Sequence, residues 1–204
     1  MSNRGLKLLQ FLLFYPHSGI AAGTTALEAL LKSVEIAALV FLRGPDENEQ
    51  DYLSRITPMV RIVQSRDCAA LLDNLPPLVK QISADGVHMT SGQRGFAEAA
   101  AALKPDYIVG AGDVHSHHEA MLRGEAGADY LLFGDPETGI TQADLDDAQW
   151  WSETFQIDAA LVADPSDPEP ALAAGAEFIA FGPGLWTLPD PAGFLAGLAG
   201  VPAK

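Results

Sequence analysis

Two hydrophobic patterns alternate along the chain. Short continuous apolar runs, rich in Val, Ile, Leu and Phe, are each followed by a stretch whose apolar positions return every three or four residues. The first pattern describes a parallel strand covered on both faces, and the second describes the helix that covers it. Eight strands are expected, beginning near Leu8 (LLQFLLFY), Ile36 (IAALVFLR), Val60 (VRIVQ), Asp85 (DGVHM), Asp106 (DYIVG), Asp129 (DYLLFG), Ile157 (IDAALVA) and Glu177 (EFIAFG). Their starts lie 20 to 28 residues apart, about the length of a strand, a loop and a helix. The helices between them are expected at Thr24–Lys32, Glu47–Ile56, Cys68–Ser83, Arg94–Leu103, Ser116–Ala126, Gln142–Thr154, Pro168–Ala174 and Ala192–Leu198, with Pro76-Pro77 breaking or kinking the third.

Three of these helices end in one short phrase: Ser-Ala-Asp-Gly at 83–86, Gly-Ala-Asp-Tyr at 127–130 and Gly-Ala-Glu-Phe at 175–178. A helix that closes on a small residue before the next strand produces such a phrase, and its return implies one building unit used repeatedly. The fold class that follows is α/β, a single-domain (β/α)8 TIM barrel spanning residues 1–204. The competing architecture, an open doubly wound sheet, calls for a glycine-rich turn after the first strand. The chain has Tyr15-Pro16-His17-Ser18-Gly19 there, which lacks that fingerprint.

Composition narrows the function classes. With 204 residues, 48% hydrophobic, the chain can bury one sizeable core. A net charge of -15, uninterrupted by any basic run, repels nucleic acid and anionic membrane surfaces, so neither is an expected partner. A single cysteine, Cys68, excludes an intramolecular disulfide and fits a reducing cytoplasmic home. The opening MSNRGLKLLQFLLFYP reads as a first strand, because its apolar run stops at Pro16 and is too short to span a bilayer. A small-molecule ligand and a homo-oligomer are the partners this picture allows.

Several phrases together resemble the thiamine-phosphate synthase family, including its thiazole tautomerase relatives. They are ALVFLRG in unit 2, SADGVHMTSGQ in unit 4, GADYLLFGDPETG in unit 6 and GAEFIAFGP in unit 8, in register from Leu8 to about Leu185. The resemblance implies a transferase that couples hydroxymethylpyrimidine diphosphate with thiazole phosphate, with Mg²⁺ neutralising the departing pyrophosphate. It also implies motif residues that this chain replaces, which leaves metal-independent, tautomerase-like proton transfer or a non-catalytic small-molecule-binding barrel as the alternatives. Phe41, Arg43 and Pro45 stand where the family has Gln-x-Arg-x-Lys; the Asn-Asp pair falls on Gln64-Ser65, and the Asp of Gly-Gln-x-Asp becomes Gln93. Both matched carboxylate ligands for Mg²⁺ are thereby absent, although such an ion needs hard anionic oxygens. The family serine becomes Asp113, and Thr-x-Thr-Lys is reduced to Pro136-Glu137-Thr138. In place of a Gly-Gly turn after strand 7 stands VADPSDPEP, whose Asp164, Asp167 and Glu169 oppose a phosphate.

Candidate residues follow. His115, in Val-His-Ser after strand 5, suits acid–base work on a heterocycle with Asp113 as its orienter; a loop histidine beside a helix cap is the plainer reading. Arg43 is placed to bind substrate, or else to pair with Asp67 or Asp46. Gln64, Ser65 and His88 are further substrate-binding candidates, His88 having a packing role as its alternative. Gly182 and Gly184 in FGPGLW can bring backbone close to a ligand. His115, His117, His118 and Asp113 lack the spacing of a metal site. Cys68 reads as a packing residue, or as a thiol activated by a helix start. Of Trp150 and Trp151, one is expected to pack and the other to face a second subunit.

Overall fold

The computed structural model describes residues 9–19 and 23–200. Among them, eight parallel strands close on themselves in sequence order. The strands are β1 (Gln10–Tyr15), β2 (Ala38–Phe41), β3 (Ala69–Asp73), β4 (Gly86–Met89), β5 (Ile108–Ala111), β6 (Tyr130–Phe133), β7 (Asp158–Val162) and β8 (Phe178–Phe181). The covering helices are α1 (Gly23–Ser33), α2 (Glu49–Gln64), α3 (Val79–Ile82), α4 (Gly92–Leu103), α5 (His117–Glu125), α6 (Gln142–Thr154), α7 (Glu169–Ala173) and α8 (Pro191–Ala199). β1 pairs with β2 on one side and β8 on the other, which closes the (β/α)8 barrel that the pattern predicts. The start expected at Leu8 lies outside the described residues.

Alternate residues of each strand face opposite ways, so each apolar run serves two cores. Leu12, Phe14, Val40, Leu71, Leu132, Val162 and Ala180 pack together as one buried cluster inside the ring. Their neighbours Phe11, Leu13, Leu39, Phe41, Leu72, Val87, Leu131 and Phe181 belong to a second cluster, shared with the helices. Helix starts are fixed by side chains that take up free backbone N–H groups: Asn48 caps α2, Ser116 caps α5 and Asp190 caps α8, while Thr141 and Asp144 form a reciprocal capping box on α6.

The third unit departs from the sequence expectation. Val60–Gln64 is the last part of α2, not a strand, and the segment expected as helix over Cys68–Ser83 contains β3, a 3-10 turn at Pro76–Leu78 and the four-residue α3. Pro58 removes one helical N–H, but Tyr52, Ile56, Met59, Val60 and Val63 are buried at helical spacing and carry α2 past it. Cys68 therefore lies just before a strand, buried, and not at a helix start. Burial, with Asp85 nearby, pushes its thiol up to about 12, which corrects the activated reading and leaves a packing residue.

The repeated phrase has a structural meaning. Asp85 Oδ2 accepts from Ala70 N at 2.7 Å, Asp129 Oδ2 from Val109 N at 2.7 Å, and Glu177 Oε2 from Ala159 N at 3.0 Å. Each acid thus stands before its own strand and holds an amide at the start of the preceding one. The residues that end the helices before these phrases, Ser83, Gly127 and Gly175, all have positive φ. That left-handed step turns the chain back to the sheet.

Candidate functional site

Parallel strands in a closed ring all point the same way, and the carboxyl-end mouth is where such barrels place their chemistry. Here the mouth holds a cavity of about 360 Å³. Phe14, Leu42, His88 and Leu132 supply its less polar lining, and around them stand Asp73 and Asn74 from the end of β3, Thr90 after β4, Asp113 and His115 after β5, and Asp135, Pro136 and Glu137 after β6. Four carboxylates line it, and among the described residues no lysine or arginine does. A separate cavity of about 200 Å³ lies at the amino ends of the strands, lined by Leu12, Ala38, Ala69, Leu71, Tyr130 and Phe178 among others.

The structure brings His88, Asp113 and His115 to this mouth. His115 is exposed at 72% of its side-chain surface, and its Nε2 lies 2.7 Å from Asp113 Oδ1. Glu119 Oε2 accepts from His115 N at 2.8 Å, and Ser116 begins α5, so the imidazole stands on a tightly held turn. Asp113 itself has φ +55, a conformation that costs an L-residue energy and is held by its surroundings. His88 is the opposite case, only 1% exposed. Its Nδ1 is 2.8 Å from the Tyr130 hydroxyl, and its Nε2 is buried without a partner. Burial holds this imidazole neutral, its pKa lowered to about 3.

Other expected residues are elsewhere. Gln64 and Ser65 end α2; Gln64 Nε2 donates to Ser83 O and Asp85 Oδ2, at the amino ends of the strands, so neither residue can touch the mouth. The pair that follows the third apolar run is Asp73-Asn74, a carboxylate and an amide that the sequence reading missed. Arg43 turns aside from the cavity: its Nε donates to Glu47 O at 2.7 Å, and its backbone N donates to Asp73 Oδ2 at 3.0 Å, in place of the expected Asp67 or Asp46 pairing. Burial raises the Asp73 carboxyl above its ordinary range, against hydrogen bonds from Arg43 and Asn74. Gly182 is buried against Pro136, where a methyl would come within 1.6 Å of the Pro136 carbonyl oxygen, whereas Gly184 faces open space. His117 does not join His115: it stacks on Trp150 with ring centroids 3.6 Å apart and meets Asp147 at 3.0 Å. Trp151 is buried and donates to Ile157 O.

The loops after β6 and β7 carry built-in anions. Asp135 Oδ1 accepts from Glu137 N and Thr138 N at 2.7 and 2.9 Å. Asp164 Oδ1 accepts from Ser166 N and Ser166 Oγ at 2.8 and 2.7 Å, and these bonds hold its carboxyl below the usual range. A bound phosphate would need such backbone donors. In both loops a carboxylate of the same loop already holds them.

A closed barrel with a polar cavity at the carboxyl ends of its strands is the architecture of enzymes acting on small molecules. The chain belongs to the family described as thiamine monophosphate synthase, whose profile matches residues 16–185. It is 33% identical over 180 residues to the thiamine-phosphate synthase of Rhodospirillum centenum, covering 85% of this chain and 86% of that one. It is 31% identical over 194 residues to the thiamine-phosphate synthase of Hyphomonas neptunium, covering 88% and 86%. Among solved structures it is similar to thiamine phosphate pyrophosphorylase from Pyrococcus furiosus, with a TM-score of 0.76 and 19% identity over 95% of this chain and 94% of that one.

The Mg²⁺ that the family resemblance implies does not fit the residues present. Asp73 is the carboxylate at the end of β3, and its two oxygens already accept from Arg43 N and Asn74 Nδ2. Gln93, at the second ligand position, is an amide that donates to Leu122 O at 3.2 Å. No group of three or more His, Cys, Asp or Glu is arranged to hold an ion among the described residues. No helix among them is long and apolar enough to cross a membrane.

Proposed function

We propose that this chain is a divergent member of its family that binds a small heterocycle without a phosphate dianion and moves a proton on it through His115 and Asp113. The observation that carries this reading is the capture of the loop N–H groups by Asp135 and Asp164, beside a mouth lined by four carboxylates. Coupling a pyrimidine diphosphate to a thiazole phosphate would bring several phosphate charges to that mouth, where like charge opposes them. Proton transfer needs no such seat. With Asp113 accepting from one ring nitrogen, His115 presents the other as base and stores the proton as an imidazolium beside a carboxylate. Arg43 orients Asp73 from the side without reaching the ligand.

A second reading keeps the family coupling reaction. It is favoured by relatives above 30% identity that carry the synthase name, and by Asp73, which offers one carboxylate at the end of β3. One pair of assays separates the two. Purified protein at high concentration is mixed with hydroxymethylpyrimidine diphosphate, thiazole phosphate and Mg²⁺ and assayed for thiamine phosphate; it is also incubated in D₂O with a chelator and a panel of thiazoles and pyrimidines. The expected result is no thiamine phosphate and deuterium entry that disappears in His115→Ala. Thiamine phosphate formation, or equal exchange by variant and parent, overturns the proposal.

A further inference from the structure

The inside of the barrel is filled unevenly from one end to the other. Rings of this kind are ordinarily packed by layers of bulky inward side chains. Toward the mouth, Phe14, Val40, Leu132 and Val162 do this. At the amino ends, the inward positions on β2 and β3 are alanines, Ala38 and Ala69, paired in register. Across the ring from them stands Tyr130 on β6. Its side chain leans over β5, where a methyl on Gly110 would come within 2.1 Å of Cζ, and so leaves the β2–β3 side unfilled. The cavity of about 200 Å³ at the amino ends is the space that results.

Its walls have one chemistry. Leu12, Leu71 and Ile108 line it together with the rings of Tyr130 and Phe178, whose centroids are 6.5 Å apart and whose planes are tilted by 54°. Tyr130 presents only its ring, because the hydroxyl is turned to His88 Nδ1 at 2.8 Å. Two carboxylates stand at the outer edge, Asp129 and Asp158. Asp129 is held by Lys104 Nζ and by Val109 N, and Asp158 is engaged as well. Ala38, Ala69, Ile108 and Phe178 are half-buried, so the cavity opens at the amino face. An ordered water needs two to four polar partners, whereas apolar cavities of about 150 Å³ stay dry and take up benzene.

We infer that the amino-end cavity is a second binding site, for a neutral molecule of one aromatic ring with a small apolar substituent, seated between the two alanines and the rings of Tyr130 and Phe178. The inference goes beyond the reaction proposed for the mouth and does not depend on it. A charged substituent would lose its water against these walls, and an anionic one would also meet Asp129 and Asp158. Tyr130 is hydrogen-bonded to His88, and His88 lines the mouth cavity. A ring resting on Tyr130 is therefore one hydrogen bond away from the mouth.

The test is titration of the full chain with toluene and, separately, with benzoate, followed by aromatic NMR signals. Toluene should move the Tyr130 and Phe178 rings saturably, and His88 through Tyr130, while His115 stays in place; benzoate should bind at least about tenfold more weakly. Ala38→Leu fills the space from β2 and should weaken toluene binding by about tenfold or more. Because a larger side chain can strain the barrel, Ala69→Val supplies a smaller insertion from the next strand and should weaken binding in the same direction, with urea unfolding showing that each variant is folded. Equal affinity for toluene and benzoate, toluene shifts centred on His115 and Leu132, undiminished binding in a folded variant, or no saturable shift overturns the inference.

Discussion

Asp113 Oδ1 meets His115 Nε2 at 2.7 Å from a backbone held at φ +55, so the group that orients the imidazole sits where glycine would be more comfortable. Relief of that conformation is worth about 1 kcal/mol, offset in part by the freedom glycine adds to the unfolded chain. Asp113→Gly should therefore unfold in urea within about 1 kcal/mol of the parent, while heterocycle proton exchange falls by about a hundredfold. A large loss of stability would mean that Asp113 holds the loop and does not serve the site.

His88 gives a pH dependence with a definite sign. In the folded protein it stays neutral down to about 3, whereas its ordinary pKa is 6.5. Below 6.5 the unfolded chain takes up a proton that the native state refuses, so the contribution present above 6.5 is lost as pH falls toward 3. The slope approaches about 1.4 kcal/mol per pH unit. Between pH 6.5 and about 5, above the ordinary carboxylate range, Tm should fall on acidification, and it should fall less in His88→Phe. Equal slopes would show that the imidazole is solvated.

Glu47 has the opposite chemistry and a different window. Arg55 donates to both of its oxygens at 2.7 Å, and Gly44 N donates to it as well, which holds the carboxyl below 4.5. Its stabilising contribution is present above 4.5 and is lost as pH drops through the lowered folded value. Glu47→Gln should cost about 1–2 kcal/mol at neutral pH and little in acid, as read from urea unfolding at both.

Gly182 and Gly184 should separate cleanly. An alanine methyl at 182 collides with the Pro136 carbonyl, so Gly182→Ala must push the loop after β6 away from β8, at about 1–3 kcal/mol. Gly184 has nothing within 4 Å of that position, and Gly184→Ala should be within about 0.5 kcal/mol of the parent. Chemical unfolding of the two variants checks this.

The barrel was legible in the sequence because its signal is redundant: seven of the eight expected strands fall on observed ones, and any one unit can be misread without losing the ring. The misread unit shows the limit. Val60, Ile62 and Val63 look like a strand in one dimension, yet Val60 and Val63 share the buried face of α2 with Ile56. That single error moved the candidate Asn-Asp match to Gln64-Ser65 and hid Asp73. The four apolar residues Ala69–Leu72, closed by Asp73-Asn74 and then Pro76-Pro77, were the available signal. Of the site residues, His115, Asp113 and His88 were visible as polar groups at strand ends. Tyr130 was not, since its hydroxyl matters only because Gly110 clears space for the ring.

The acids at the three repeated phrases divide the ring unequally. Asp85 fastens β3 to β4, Asp129 fastens β5 to β6, and Glu177 fastens β7 to β8. Each pinned amide exchanges with solvent only when its partner's entrance also lifts, so the ring should loosen along the seams between couples. The mouth cavity takes its lining from the couples β3–β4 and β5–β6 as well as from β1 and β2, so the seam between those couples, at β4–β5, runs beneath any ligand it holds.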